Sequence, residues 1–255
     1  MLTQKQFQQI RDELDNCQNP IFFFDDDPDG LCAFLLLYRY KKEGHGFVVK
    51  THPKLDVRSA PKIEQYDADK VFVLDVANLE QDFIDASKVP VIWIDHHGPS
   101  DRTGMRYFNP RINDKNVNIP TTYMCYKAVQ QDLWIAMVGC IADYYMPDFL
   151  NEFKKKYPDL LNGKKTVGDI YFSSKLGTLI KIFSFCLKGK TSEVVKSMKI
   201  LTRIESPYEI LNQETAKGKF IFKRYEKINK LYDSLLEDAV KTAGKEKMLV
   251  FTSSE

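Results

Sequence analysis

The sequence predicts an α/β fold, a parallel sheet flanked by helices and followed by a mostly helical extension. Three observations carry this reading. Short, continuous apolar runs recur at residues 21–24, 47–49, 71–74 and 89–94, and stretches of helix or loop length separate them. From about residue 120 onward, helical patterning continues without intervening strands. Apolar runs that lack polar alternation mark strands buried on both faces, and helix-length connections between them make the sheet parallel.

The elements follow in order. Residues 21–24, Ile-Phe-Phe-Phe, form the first strand and run into an acidic turn from Asp25 to Gly30. Residues 31–42 have helical character, and Gly44 to Gly46 stop them. The runs at 47–49, 71–74 and 89–94 supply three further strands, the last holding Trp93 as a core residue. Pro120, Thr121 and Thr122 open a helix, with the threonines as capping candidates and Met124, Cys125 and Val129 on its apolar side. A second apolar helix, with Trp134 in its core face, covers residues 133–142. Past Asp148 the chain is Lys-rich and helical, its longest segment at 213–240, and residues 247–251 begin one more strand. The expected organisation is an α/β domain over 1–150 and a helical extension or linker over 151–246, followed by the strand start within 247–255.

Composition narrows the classes of function. Hydrophobic residues make up 44% of the 255, enough for a sizeable core, and no apolar run approaches the ~18–20 residues needed to cross a bilayer. No basic segment precedes an apolar stretch at the start of the chain, so no signal peptide is expected. The five cysteines form no C-x-x-C pair and are odd in number, which argues against a disulfide framework or a zinc ribbon and places the chain in the reducing cytoplasm. A net charge of +2 conceals an asymmetry. Residues 151–255 carry 21 basic against 13 acidic side chains, whereas residues 1–150 carry 16 against 22. An acidic half concentrates divalent cations, and a basic half attracts a polyanion. Lys181, Lys188, Lys190, Lys223, Arg224 and Lys227 are the candidates to track a phosphate backbone.

Four apolar elements end in acids or histidines. The first strand delivers Asp25, Asp27 and Asp29 in alternation within Asp-Asp-Asp-Pro-Asp-Gly; the third ends at Asp75; the fourth ends in Asp95-His96-His97; and the helix at 133–142 leads from Gly139 to Asp143. Asp26 is the bland member, a solvated or supporting carboxylate. Carboxyl ends of parallel strands line one crevice. Several carboxylates gathered there repel one another unless cations neutralise them. Oxygen ligands with a few imidazoles suit Mn²⁺ or Mg²⁺. His45 and His52 lie outside this pattern, on surface loops. Arg111, close behind Asn109-Pro110, is a candidate for a bidentate phosphate contact.

These residues resemble the motifs of the DHH phosphoesterase superfamily over residues 20–145. The triplet stands at Asp95-His96-His97, the D-x-D-x-D-G turn begins at Asp25, Asp75 ends an apolar strand, and G-x-x-x-D ends at Asp143. The RecJ-like branch, especially its archaeal-type nucleases, is most similar, and Phe108-Asn109-Pro110 belongs to that likeness. The resemblance implies a first divalent cation on Asp25, Asp27 and Asp75, and a second on Asp29, Asp75, His96 and Asp143. It implies that His97 faces the substrate phosphate and that Asp95 orients a histidine. Where RecJ-like members often carry histidine, this chain has Asp25. The implied activity is phosphodiester hydrolysis with two cations, Mn²⁺ before Mg²⁺, on single-stranded DNA or RNA or on short oligonucleotides, as an exonuclease with replication or repair partners and no membrane association. An inorganic pyrophosphatase, a small-nucleotide phosphodiesterase and a non-catalytic replication subunit related to RecJ are the alternatives. The resemblance makes 1–150 the catalytic domain and 247–255 the start of a second domain, which in RecJ-like members carries a Gly-Gly-His-type motif absent here, so the chain is expected to be an N-terminal portion or a member that lost that domain.

Overall fold

A computed structural model describes residues 1–50 and 54–242. His52 and the strand expected at 247–251, with the domain start at 247–255, lie outside the described residues. The chain divides into two compact units, Met1–Ser184 and Phe185 onward.

The first unit is built on a five-stranded, all-parallel sheet of β1 (Pro20–Asp25), β2 (His45–Val49), β4 (Lys70–Leu74), β6 (Val91–Ile94) and β7 (Arg106–Phe108), in the order β2-β1-β4-β6-β7. A two-residue ladder pairs β3 (Lys54–Leu55) with β5 (Asn78–Leu79). The chain runs from β1 to β2 on one side and returns to β4 on the other, so the loops after β1 and β4 diverge. That divergence is where such sheets open a ligand crevice.

Period-two alternation sorts the strand residues onto two faces. Ile21, Phe23, Val71, Val73, Val91 and Trp93 join one apolar cluster with Ile63 of α3 (Pro61–Gln65) and with Phe83 and Ile84 of α4 (Gln81–Ala86). Phe22 and Phe24 face the other way, onto Phe34 of α2 (Pro28–Lys41), with ring centroids 5.6 and 4.6 Å apart. Each buried phenylalanine contributes about 1.5–3 kcal/mol of burial energy. Every residue of α2 from Leu31 to Leu37 is buried, because α5 (Thr121–Val129) and α6 (Leu133–Ala142) pack on it. A helix apolar all round belongs between layers. Arg39, near the end of α2, holds Asp132 at the start of α6 through two parallel bonds of 2.8 and 2.7 Å. The unit continues through α7 (Leu150–Lys156), α8 (Val167–Ser173) and most of α9 (Lys175–Cys186). Among the described residues, no helix is long and apolar enough to cross a membrane.

Helix α1 and strand β7 are among the elements that go beyond the sequence reading, and His45 corrects it. The amphipathic helix α1 (Gln4–Asp15) opens on a capping box between Thr3 and Gln6. The short β7 joins the sheet edge beside β6. Together they frame a buried ion pair: Lys70 Nζ lies 2.6 Å from Glu13 Oε2 and also donates to the Glu13 carbonyl at 2.9 Å, while Arg106 bonds the other carboxylate oxygen. His45 is exposed as expected, but it opens β2 and is not part of a loop, because its backbone pairs with Ile21.

The second unit, as far as residue 242, comprises α10 (Thr191–Leu201), α11 (Pro207–Leu211) and the long α12 (Ala216–Thr242). Arg224 corrects an expectation. Its side chain is buried, donating to the Lys188 carbonyl and pairing with Glu193 at 3.1 Å, so it clamps α12 to the start of α10 and the turn before it and does not track a phosphate backbone.

Candidate metal centre

β1 ends at Asp25, and the chain enters α2 with Asp27 as its cap: Asp27 Oδ1 accepts from Gly30 N at 2.9 Å, with Pro28 in the first turn. A Cβ on Gly30 would stand 2.8 Å from the backbone N and O of Asp25, so glycine lets the helix start this close to the strand it leaves. Asp29, in that first turn, is buried. Its two oxygens accept from the amides of Thr121 and Thr122, each at 2.8 Å. An acid at a helix N-terminus satisfies orphan amides and meets the positive end of the dipole. Thr121 and Thr122 are therefore not the caps of α5. Pro120 holds the cap position without a side-chain bond, and the capping carboxylate comes from Asp29. The threonine hydroxyls turn inward instead, Thr122 Oγ1 to the Asp29 carbonyl at 2.8 Å and Thr121 Oγ1 to Asp75 Oδ1 at 3.1 Å.

Asp75 follows β4 in the left-handed region, with φ 61°. Aspartate tolerates that conformation better than most residues, and departures of this kind collect at functional sites. Its amide bonds the Ile94 carbonyl at 3.0 Å, and Trp93 Nε1 holds the next carbonyl, that of Val76, at 3.1 Å. Trp93 and Trp134 are both core residues, as their apolar settings predict. β6 then delivers the triplet. Asp95 is buried, its oxygens accepting from His97 Nδ1 at 2.7 Å, His97 N at 3.1 Å, Asn109 Nδ2 at 3.2 Å and the Tyr107 hydroxyl at 3.4 Å. His96 Nε2 stands 3.3 Å from Asp75 Oδ1 and 3.9 Å from Asp29 Oδ2, while Nδ1 meets Asn118 Oδ1 at 3.1 Å and lies 3.7 Å from Asp143 Oδ2. Asp143 closes α6. Gly139 is what allows that helix its close approach: a Cβ there would stand 2.8 Å from Cys32 Cβ and overlap the Thr122 side chain. Arg111 donates through Nε to the Val117 carbonyl at 2.9 Å and through Nη2 to Asn118 Oδ1 at 3.5 Å, which ties it to the segment that holds His96.

Every predicted ligand thus reaches one crevice. One donor atom from each of Asp25, Asp27 and Asp75 falls within 4.8 Å of the others, and the same holds for Asp29, His96 and Asp143 and for Asp75, His96 and His97. The residues that sequence reasoning missed are Thr121 as a partner of Asp75, Asn118 behind His96, and Tyr107 with Asn109 behind Asp95. Asn109 alone carried a signal, in the segment Phe108-Asn109-Pro110.

Electrostatics shows what the cluster lacks by itself. Burial and then Asp27 push the Asp25 carboxyl up to about 6, and burial and then Asp29 push Asp143 up to about 6. Burial, then Asp29 and Asp27, raise Asp75 well above the ordinary carboxylate range, and burial followed by Asp27 raises Asp29. Asp143 Oδ2 is buried without a hydrogen-bond partner. Acids in this state, with imidazoles beside them, form a donor set suited to hard divalent cations. The hydrogen bond to Asp95 raises His97 above the usual imidazole value, while burial and then Asp95 keep Tyr107 protonated.

Residues 21–161 match the DHH family, N-terminal domain. The chain belongs to the DHH family. No curated protein matches the sequence significantly. Among solved structures, this DHH chain is similar to exonuclease RecJ bound to manganese (13% identity, TM-score 0.62, covering 94% of this chain and 69% of that one). It is similar also to RecJ from Thermus thermophilus in complex with Mn²⁺ (14%, 0.61, 95% and 40%). A third likeness is to the DHH domain of a member of the s1p family of ribosomal proteins (12%, 0.61, 94% and 62%). The DHH chain therefore spans between 40% and 69% of the lengths of these structures, and at such identities the likeness establishes the fold.

Proposed function

We propose that this chain is a two-metal-dependent phosphodiester hydrolase acting on single-stranded nucleic acid or short oligonucleotides, as an exonuclease. The observation that carries the reading is the double position of Asp75, within ligand distance of Asp25 and Asp27 on one side and 3.3 Å from His96 on the other. Asp25, Asp27 and Asp75 hold one cation. Asp29, Asp75, His96 and Asp143 hold the second. Mn²⁺ is the favoured ion and Mg²⁺ the alternative, given oxygen donors with an imidazole. Bound there, the two cations would supply Lewis-acid activation of water and stabilise charge on the attacking and leaving oxygens.

The protein's own groups do the rest. Asn118 accepts from His96 Nδ1 and leaves Nε2, the nitrogen nearer Asp75, as the ligand atom. Asp95 holds His97 by Nδ1 and favours its protonated form, so Nε2–H is the donor offered to a substrate phosphate from a side chain that is 41% exposed. Asn109 and Tyr107 fix Asp95 in turn. Arg111 contacts phosphate through Nη1 and not bidentately as the sequence suggested, because Nε and Nη2 hold the segment carrying Asn118.

The test is a product ladder from 5′- and 3′-labelled DNA and RNA oligomers with Mn²⁺. Stepwise, metal-dependent shortening from one end is expected. Cleavage of pyrophosphate with intact oligomers would turn the reading into a pyrophosphatase, and metal and strand binding without any hydrolysis into a non-catalytic subunit.

A further inference from the structure

Two aromatic side chains of the first unit stand out in water. Phe172 is 74% exposed and Tyr144 59%, the most exposed aromatic residues of Met1–Ser184 among the described residues. They are not separate. Tyr171 links them, with ring centroids 5.9 Å from Tyr144 and 4.8 Å from Phe172. The chain of rings begins one residue after Asp143, and neighbouring Cα atoms are only about 3.8 Å apart.

Local backbone sets this arrangement. Tyr144 takes φ 58°, a left-handed conformation that costs a bulky L-residue roughly 1–2 kcal/mol. The turn, closed by Tyr144 N on the Ile141 carbonyl (3.1 Å) and Tyr145 N on the Cys140 carbonyl (2.8 Å), sends Tyr145 inward against Tyr123 at 5.3 Å and leaves Tyr144 outside. The left-handed residue thus ends α6 in a Schellman turn, and the ring it carries stays in water, against Tyr171 and one residue from the acidic centre.

We propose that Tyr144, Tyr171 and Phe172 form a stacking platform for the bases of a single strand whose backbone reaches the metal centre. This rests on the nuclease reading above. Rings on which successive bases stack, beside a site for phosphates, are what sequence-tolerant strand binding requires. A protein partner would take such rings as part of a larger contiguous apolar patch. Here the helix that carries two of the rings is polar: Thr166, Asp169 and Ser173 are exposed on α8 or at its cap, and Lys164 and Lys165 lead into it. Those two lysines give the charge a phosphate backbone needs.

The experiment compares two strands of equal length, oligo-dT and an abasic oligomer with the same phosphates, by fluorescence anisotropy in Ca²⁺ at fixed salt. Wild type is expected to favour the base-bearing strand by about fivefold to a hundredfold for each stacked base. Phe172→Ala and Tyr144→Ala should lose most of that preference, and Phe172→Trp should keep it. Equal wild-type affinity for both strands, or an undiminished preference in the alanine variants, overturns the platform. With wild type still shortening labelled oligomers, either result leaves the nuclease reading standing. Conversely, a base preference that vanishes in the variants while wild type cleaves nothing supports the platform and overturns the nuclease reading.

Discussion

At the scale of single residues, Asp75 concentrates the conflict in the site. It is buried, left-handed and surrounded by like charge, so its ionised form is held at a cost that a cation offsets. Asn fits the same backbone and keeps an acceptor for Thr121. Asp75→Asn should therefore raise the melting temperature of the metal-stripped protein, by a few degrees per kcal/mol relieved. The same change should abolish most of the Mn²⁺-induced stabilisation and lower hydrolysis more than about a hundredfold. Calorimetry with and without Mn²⁺ checks it; an unchanged metal response would remove Asp75 from the ligand set. The pH dependence has a defined sign. Asp25 and Asp143 titrate near 6 in the fold against 3.8 unperturbed, so between those values the native state keeps protons that the unfolded chain has released. Stability of the metal-stripped protein should fall as pH rises from about 4 to about 6. His97 adds in the same direction: its raised folded value gives stability present below 6.5 and lost as pH climbs through that folded value. Mn²⁺ should accordingly raise the melting temperature more at pH 7 than at pH 5, and an equal shift at both would contradict the assignment. The acids themselves are legible because each sits at the end of an apolar run. Asn118 and Thr121 are not, because a polar residue many positions away acquires its role only when folding brings it against His96 or Asp75.

At the scale of elements, the closeness of α2, α5 and α6 decides whether Asp29 and Asp143 reach the same crevice. Asp29 arrives because its carboxylate receives the first amides of α5, and Asp143 because Gly139 lets α6 press on Thr122 and Cys32. Gly139→Ala gains up to about 1 kcal/mol of helix propensity. It must also displace two packed side chains at a cost of typically 1–3 kcal/mol. A net loss of about 1–2 kcal/mol in urea denaturation is expected, together with weaker Mn²⁺ binding as Asp143 shifts. A more stable variant with unaltered metal affinity would refute the packing account. Boundaries of the central strands and of α6 are readable because burial on both faces leaves long apolar runs. β7 is not, since three residues ending in Tyr107-Phe108 are too few to show a period. The cap of α5 misleads for a different reason: local sequence offers two threonines, and tertiary structure supplies an aspartate 92 positions earlier.

At the scale of the whole molecule, roles separate along the sheet and along the chain. The strand ends carry Asp25, Asp75 and Asp95 of the proposed site, whereas the strand starts at Lys70 and Arg106 hold the ion pairs to Glu13. Along the chain, acids dominate residues 1–150 and bases residues 151–255, an asymmetry plain from composition. Composition does not reveal which bases face water. Arg224 is buried, but Lys219, Lys223, Lys227 and Lys230 are exposed on α12 at spacings of four, four and three, the spacing of one helix face. If that face follows a phosphate backbone, each lysine releases condensed counterion on binding, with a log–log salt slope of about −0.7 per phosphate neutralised on single strands. Four contacts predict a slope of roughly −2 to −3 from this face. Replacing Lys223 and Lys227 together by Gln should flatten the slope by roughly 1 to 1.5 while lowering affinity about equally for every sequence. Anisotropy titrations of one oligomer across a salt series measure both quantities. An unchanged slope in the double variant would mean that this face of α12 is ordinary solvated surface.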